Sequence, residues 1–296
     1  METQIRPNTD RSHVDDLARI GTVKWKNPLK IGTWNVLSLY RAGYAKTLIE
    51  EINKYDIDIM AVQETRWTGE GECKMGNYTI LYSGRKDGIH REGVGFCISN
   101  KVYRAVESFN PVNERIAHIR INCQWFKLSM IVTYAPTEES EEDQKDEFYE
   151  ILQTVIEKIP KHDVIIVTGD MNAKVGREVD VFGPAIGVHS AHEECNDNGT
   201  RLASFANANR MVIGGTLFPH KSIHKQTWNS PDGNTKNQID HILISRRFRS
   251  ALIDVRSYRG ADCDTDHNMV GAKVEIISRW RRILEMKEEH FLTHIN

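Results

Sequence analysis

From Leu29 onward, short apolar runs alternate with segments of helical spacing, which predicts a mixed α/β chain. Val164-Ile165-Ile166-Val167 is continuous, short and β-branched, as a strand covered on both faces should be. Lys30–Val36, Ile57–Glu64, Gln238–Ile244 and Met269–Val274 read as further strands, and so do Val94–Ile98, Ile116–Ile121 and Phe126–Val132. Ala45–Asn53 has helical periodicity. A longer helix is predicted from Glu141 to Ile159, where Phe148, Ile151, Leu152, Val155, Ile156 and Ile159 form one face and Pro160 closes it. A third helix is expected over Thr200–Asn209, through Leu202, Phe205 and Ala206. Residues 1–28 are polar and unpatterned, which predicts a flexible arm. Residues 29–277 read as one domain, and residues 278–296 as a charged amphipathic helix.

The polar residues gather at strand ends. After Val167 the chain turns to Thr168-Gly169-Asp170-Met171-Asn172, and Asn35 and Glu64 close two other apolar runs. Asp240 opens a fourth, and Asp264-Thr265-Asp266-His267-Asn268 precedes a fifth. A single such end reads equally well as an Asx-rich turn. Five ends with complementary chemistry describe a site. Glu64, Asp170, Asp240 and Asp266 supply hard oxygen ligands, and Asn35 and Asn172 supply neutral carbonyl oxygens, a set suited to Mg²⁺ or Mn²⁺ rather than zinc. His267 is the group that can exchange a proton near neutral pH. With no strong serine or cysteine nucleophile motif, the simplest chemistry is activated-water attack on a phosphoester.

Trp34-Asn35, Gln63-Glu64-Thr65, Tyr134-Ala135-Pro136, Gly169–Asn172, Ile239-Asp240-His241 and Thr265-Asp266-His267, taken in this order, resemble the endonuclease/exonuclease/phosphatase superfamily over roughly residues 29 to 276. Thr227–Gly233 followed by Asn237–His241 resembles the endonuclease domain of non-LTR retrotransposons. The resemblance implies a four-layer α/β-sandwich of the DNase I type, two packed mixed sheets flanked by helices. It also implies a Mg²⁺ cofactor, with Mn²⁺ as a substitute. By the same resemblance Glu64 is the main metal ligand, supported by Asn35, and Asp266 completes the metal region or positions its neighbours. Asp170 would orient or deprotonate the water, with Asn172 holding the water or a phosphate oxygen. His267 would contact the scissile phosphate, oriented by Asp240, while Tyr134 donates to the phosphate and Thr227 joins the same network. Two departures stand out. Leu37 occupies a position that is acidic in some DNA-repair members, and Thr265 stands where serine is usual.

Composition narrows the setting. The 296 residues are 40% hydrophobic and carry a net charge of −2, which suits a globular domain and counts against strong non-specific DNA binding. No run is long enough to span a membrane, and the polar N-terminus lacks a signal-peptide core, so neither membrane nor secretion is expected. Five dispersed cysteines without a Cys-x-x-Cys pair read as reduced thiols of the nucleus or cytoplasm. A DNA substrate would favour the nucleus. Basic clusters at Arg246–Arg249 and Arg279–Arg282 read as solvated surface, whereas Arg85, Lys86 and Arg91 lie in a glycine-punctuated hairpin and are the candidate substrate contacts. His189, His192 and Cys195 have zinc-like spacing but sit in a strongly polar loop.

A DNA-nicking endonuclease is thus the leading reading. The same site acting on RNA or a small phosphoester, and a domesticated binding module without catalysis, remain open alternatives. The oligomeric state is not legible.

Overall fold

Residues 21–23 and 28–275 are described by a computed structural model. The rest of the expected N-terminal arm and the expected C-terminal helix lie outside the described residues. Of the arm, Val23 forms a bridge with Cys123, and Gly21 N–H donates to the Arg104 carbonyl at 2.8 Å.

The strands are β1 (Leu29–Asn35), β2 (Ile59–Gln63), β3 (Glu70–Met75), β4 (Tyr78–Ser83), β5 (Val94–Ser99), β6 (Val106–Pro111), β7 (Ile116–Asn122) and β8 (Lys127–Tyr134). They continue with β9 (Val164–Asp170), β10 (Met211–Ile213), β11 (Trp228–Asn229), β12 (Lys236–Asn237), β13 (Asp240–Ser245), β14 (Leu252–Tyr258) and β15 (Met269–Val274). The helices are α1 (Tyr44–Lys54), α2 (Asn100–Tyr103), α3 (Glu142–Lys158), α4 (Val179–Phe182) and α5 (Asp197–Ala208). One sheet runs β14-β15-β1-β2-β5-β4-β3 and the other β10-β13-β9-β8-β7-β6, both mixed, with β11 and β12 as a small separate ribbon.

Period-two alternation sorts the residues into layers. From β1, Leu29 and Ile31 enter the core between the sheets, where they meet Val164 and Ile166 of β9, Met130 and Val132 of β8, and Ile242 and Ile244 of β13. The opposite face of the first sheet buries Trp34, Met60 and Val62 under Leu48, Ile49 and Ile52 of α1. On the outer face of the second sheet, Val167 and Leu243 pack under Phe148, Leu152 and Val155 of α3 and Leu202 and Phe205 of α5. Each fully buried leucine or isoleucine of this kind contributes about 1.5–3 kcal/mol. The molecule is the four-layer sandwich that the resemblance implied.

Within the described residues the predicted strands and helices are present, with ends shifted by a few residues. Absent from the sequence reading are the β3–β4 hairpin, β6, β10, β11, β12 and β14. Four of these, β3, β6, β10 and β14, are the sheet edges. Edge strands are kept short, charged or alternately polar to discourage further pairing, and so lose the apolar signal. β3 alternates exposed Glu70, Glu72 and Lys74 with partly buried Gly71, Cys73 and Met75.

Candidate active site

The residues of the site occupy the same alternation as the core. Asn35 follows Leu29 and Ile31 on one face of β1, Asp170 follows Val164 and Ile166 on β9, and Tyr134 follows Met130 and Val132 on β8. Asp240 precedes Ile242 and Ile244 on β13. At one end of the sandwich the apolar core therefore gives way to a polar floor. Register locks the floor together, because Asp170 pairs with Tyr134 on one side and with Asp240 on the other. Gly169 permits this approach, since a Cβ there would lie 1.9 Å from the Thr133 carbonyl oxygen.

Asn35 stands at the centre. Its Nδ2 donates to Glu64 Oε1 at 3.0 Å and to Asp170 Oδ2 at 2.9 Å, while its Oδ1 accepts the Leu37 N–H at 3.0 Å. Glu64 sits just past β2 on a left-handed backbone (φ 55°). Its carboxylate also accepts from Tyr134 Oη and from Arg66 Nη2, each at 3.0 Å. Burial, then the charges of Glu64 and Asp170, push the Tyr134 phenol upward, so it is a neutral donor.

Asp170 serves two functions at once. Its Oδ1 accepts the Asn172 N–H at 3.0 Å and closes a turn in which Asn172 is left-handed (φ 47°), so the Asx turn is formed and the same carboxylate also belongs to the polar floor. Its Oδ2 faces Asn35 and, at 3.8 Å, His267 Nε2. Burial and the neighbouring Asp240 charge raise the Asp170 carboxyl well above its ordinary range, against the opposing pull of His267 and Asn35. Asn172 Nδ2 donates to the Ala135 carbonyl at 3.0 Å.

His267 is 7% exposed. Its Nδ1 donates to Asp240 at 3.0 and 3.2 Å, which turns Nε2 towards Asp170 and towards Asp266 Oδ1 at 4.0 Å. Burial lowers its proton affinity, but the charge and hydrogen bond of Asp240, then the charges of Asp170 and Asp266, outweigh that and raise it to about 10. Asp266 Oδ2 accepts from Trp228 Nε1 at 2.8 Å, whereas Asp266 Oδ1 is buried without a hydrogen-bond partner. Thr227 is buried, and its Oγ1 accepts the Ile239 and Asp240 N–H groups at 2.9 and 3.1 Å, fixing the start of β13. Thr265 keeps the expected hydroxyl, which donates to the Asn35 carbonyl at 2.9 Å.

The cluster fits a hard cation. Ligand atoms of Asp170, Asp240 and His267 lie within 4.8 Å of one another, the one such group among the described residues. Glu64 and the unpartnered Asp266 oxygen border it. An orphaned carboxylate oxygen beside other carboxylates lacks the compensation that burial requires, and a cation supplies it.

The structure thus brings Asn35, Glu64, Tyr134, Asp170, Asn172, Thr227, Asp240, Asp266 and His267 into one network. Arg85, Lys86 and Arg91 lie in the loop of the β4–β5 hairpin. Arg85 pairs with Asp87 and, at 3.4 Å, with Glu92; Lys86 pairs with Glu70 at 3.4 Å; Arg91 is exposed. Three supporting residues escaped the sequence reading. Arg66 binds Glu64, Trp228 binds Asp266, and buried Asn198 donates from Nδ2 to the carbonyls of Pro136 and Asn172, each at 3.1 Å. Arg66 adjoins a motif and Trp228 lies within one, where its role went unassigned, a signal that could have found them. Asn198 reads in sequence as part of a polar loop and gave none, whereas the structure places it in the first turn of α5. Two of the zinc-like trio are committed elsewhere, since His192 Nε2 accepts the Gln238 N–H and Cys195 Sγ the Gly176 N–H, both at 3.1 Å. Among the described residues no helix is long and apolar enough to cross a membrane.

Comparison with known proteins agrees with this geometry. Residues 32–267 match the model of the Endonuclease/Exonuclease/phosphatase family. Craniofacial development protein 2 of Bos taurus is 36% identical over 269 residues, covering 89% of this chain but 44% of that protein, so the chain spans less than half of its relative. The endonuclease domain of TRAS1, a telomere-specific non-LTR retrotransposon, superposes with a TM-score of 0.58 at 13% identity, covering 84% of this chain and 99% of that one. An AP endonuclease from Archaeoglobus fulgidus superposes with a TM-score of 0.61 at 20% identity, covering 84% and 100%. At these identities the two superpositions establish a shared fold. The matched segment contains every residue of the polar floor, and the chain belongs to the endonuclease/exonuclease/phosphatase family of nucleases and phosphatases.

Proposed function

We propose that this chain is a Mg²⁺-dependent phosphodiesterase that nicks DNA, derived from a retrotransposon endonuclease and working in the nucleus. The observation that carries the reading is the continuous network from Glu64 through Asn35 to Asp170, facing a His267 that Asp240 orients. Glu64 and Asp266 would hold the cation, with Asn35 tying Glu64 to Asp170. Bound there, the cation would act as a Lewis acid on the phosphoryl oxygens, and Mn²⁺ could replace Mg²⁺.

Asp170 has a raised proton affinity and takes the proton of the attacking water. Asn172 positions that water through its amide oxygen, because its Nδ2 is committed to Ala135. His267, protonated at neutral pH, presents Nε2–H to the scissile phosphate and offsets its developing charge. Asp240 fixes the ring, Thr227 acts through the Asp240 backbone, and the neutral Tyr134 phenol donates to a phosphate oxygen. Arg85, Lys86 and Arg91 contribute phosphate contacts outside the floor.

The test is conversion of supercoiled plasmid to nicked circles with and without Mg²⁺. Wild type should nick in Mg²⁺ only. Glu64→Ala and His267→Ala, shown by circular dichroism to be folded, should each be slower by about 10²–10⁴-fold. Wild-type protein that binds Mg²⁺ through Glu64 yet nicks nothing would sink the DNA reading and move the search to RNA and small phosphoesters. Absence of both metal binding and cleavage would leave a binding module.

A further inference from the structure

Beside the polar floor, the segment after β1 and the loop of the β4–β5 hairpin enclose a cavity of about 270 Å³, whose walls include Leu37, Tyr40, Arg41, Arg66, His90 and Asp264. Its walls are hydrogen-bonded to the floor. Arg66 donates to Glu64 Oε2 at 3.0 Å, and Leu37 N–H donates to Asn35 Oδ1 at 3.0 Å.

Three features of this cavity suit it to a ligand. First, Leu37, Arg66 and Asp264 all take left-handed backbone conformations, at φ 58°, 54° and 64°. Such conformations are costly for residues with a β-carbon, least so for aspartate, and strain of this kind collects where a ligand is clamped. Second, Leu37 and Tyr40 are 38% and 56% exposed, so large apolar side chains stand in water at the mouth of a charged site. Third, the Tyr40 ring lies 4.2 Å from the His90 ring, and His90 is itself held by donation from Nδ1 to the Arg66 carbonyl at 2.8 Å. A fixed aromatic pair with an open face is therefore presented beside two guanidinium groups.

We infer that this cavity receives an unstacked base of the nucleic-acid strand, next to the phosphate that is cut. The inference rests on the endonuclease reading of the adjoining floor and names the feature of the substrate that the floor alone does not read. An aromatic platform binds any base through its π-face, and guanidinium groups at the rim suit the flanking phosphates. The volume accommodates a single nucleobase and falls below the ~300 Å³ at which pockets for drug-sized ligands begin. Tyr40 is the stacking platform and Leu37 the apolar wall. Asp264, which accepts from Tyr44 Oη at 2.8 Å through Oδ2, offers its other oxygen to a base amino group. Because unstacking a paired base costs energy, the preferred substrate has a base already unpaired beside the cut.

The experiment uses a fluorescently labelled DNA duplex with one unpaired adenine and the same duplex fully paired. Affinity is read by anisotropy in metal-free buffer, and cleavage is mapped in Mg²⁺. Wild type should bind the unpaired duplex about tenfold more tightly and cut beside the unpaired base. Tyr40→Phe should keep that ratio and Tyr40→Ala should lose it. Equal wild-type affinity for the two duplexes, or a ratio undiminished in Tyr40→Ala, overturns the inference. Nicking of plasmid without preference removes the base pocket alone. Preference for the unpaired duplex without any nicking keeps the pocket and removes the hydrolytic reading.

Discussion

Two buried aspartates flank the same strand, and their surroundings are opposite. Asp163 lies just before β9 and Asp170 at its far end, and neither is more than 2% exposed. Asp163 accepts from Arg120 Nε and Nη2 at 2.7 and 3.0 Å and from Ser129 Oγ at 2.8 Å. Burial alone would raise its carboxyl, but these partners outweigh burial and hold it below the ordinary range. Asp170 has an asparagine, a second aspartate and a histidine that the second aspartate already binds, and its carboxyl is raised. A polar residue at a strand end is therefore not in itself a sign of function. What distinguishes the candidate functional end is charge that folding leaves less compensated, as a ligand site requires.

The largest effect should come from the compensated end. Asp163→Ala leaves Arg120 without its main partner and should cost about 3–5 kcal/mol of stability, as removal of one member of a buried ion pair does. Urea unfolding would read this as a lower midpoint with an unchanged slope. A loss below about 1 kcal/mol would mean that the Glu107 carboxylate, 3.1 Å from Arg120 Nη1, takes over the pairing. Next in size is the change in activity at the other end. Asp170→Asn keeps the shape and removes a charge crowded by Asp240. It should leave metal-free stability unchanged or slightly raised, yet reduce plasmid nicking by about 10²–10³-fold. If stability fell as far as in Asp163→Ala, the two ends would be doing the same structural work and the contrast would fail.

Most of this contrast was legible in the sequence, in one direction. Most central strands, though not the fully buried β4, announced themselves because both their faces are covered, and the floor residues were visible because the polar switch after Val167 or before Ile242 borders a continuous apolar run. Asp163 was not visible as a buried ion. Its partners Arg120 and Ser129 come from β7 and β8, a pairing made by sheet order that local pattern does not carry. The edge strands were hidden for the reason already given: in β14, reading Leu-Ile-Asp-Val-Arg-Ser-Tyr, Asp254 and Arg256 break up the apolar pattern. Asn198 illustrates the same limit at the site. It looked like part of a polar loop, and only the fold sets its amide between Pro136 and Asn172.

A smaller effect should appear in the dependence of stability on pH, with opposite signs at the two ends. The lowered Asp163 carboxyl contributes stability that is present above the unfolded value of about 3.9 and is lost as pH falls through its folded value. Asp163→Asn should therefore flatten the acid limb of the stability curve. The raised Asp170 carboxyl acts the other way. Its contribution is fully present below the unfolded value and is lost as pH rises through about 7, so Asp170→Asn in metal-free buffer should remove a decline between pH 4 and 7. The change will be modest, because Asp240 and His267 share the same protons. Unfolding free energies of the three proteins from about pH 2 to 7 decide it. Matching slopes for the two variants would mean that the ends are electrostatically alike.

The smallest effect lies outside the sandwich ends and sharpens what compensation means at the surface. In the β4–β5 loop, Arg85 is engaged by Asp87 and Glu92, whereas Lys86 meets Glu70 alone, with the two side chains 79% and 50% exposed. An exposed pair of this kind is worth little, so Lys86→Ala should change stability by less than about 0.5 kcal/mol. Its charge is the more available of the two for a phosphate. The variant should bind DNA more weakly to a similar degree on every sequence, and the slope of log affinity against log salt should shrink by about 1. The ratio between unpaired and paired duplexes should stay fixed, because a phosphate contact carries no information about the base. Anisotropy titrations at several salt concentrations read both quantities together. An unchanged slope would place the loop off the phosphate track and confine recognition to the floor and its neighbouring cavity. A changed ratio would mean that this loop, through His90, helps to shape the base pocket itself.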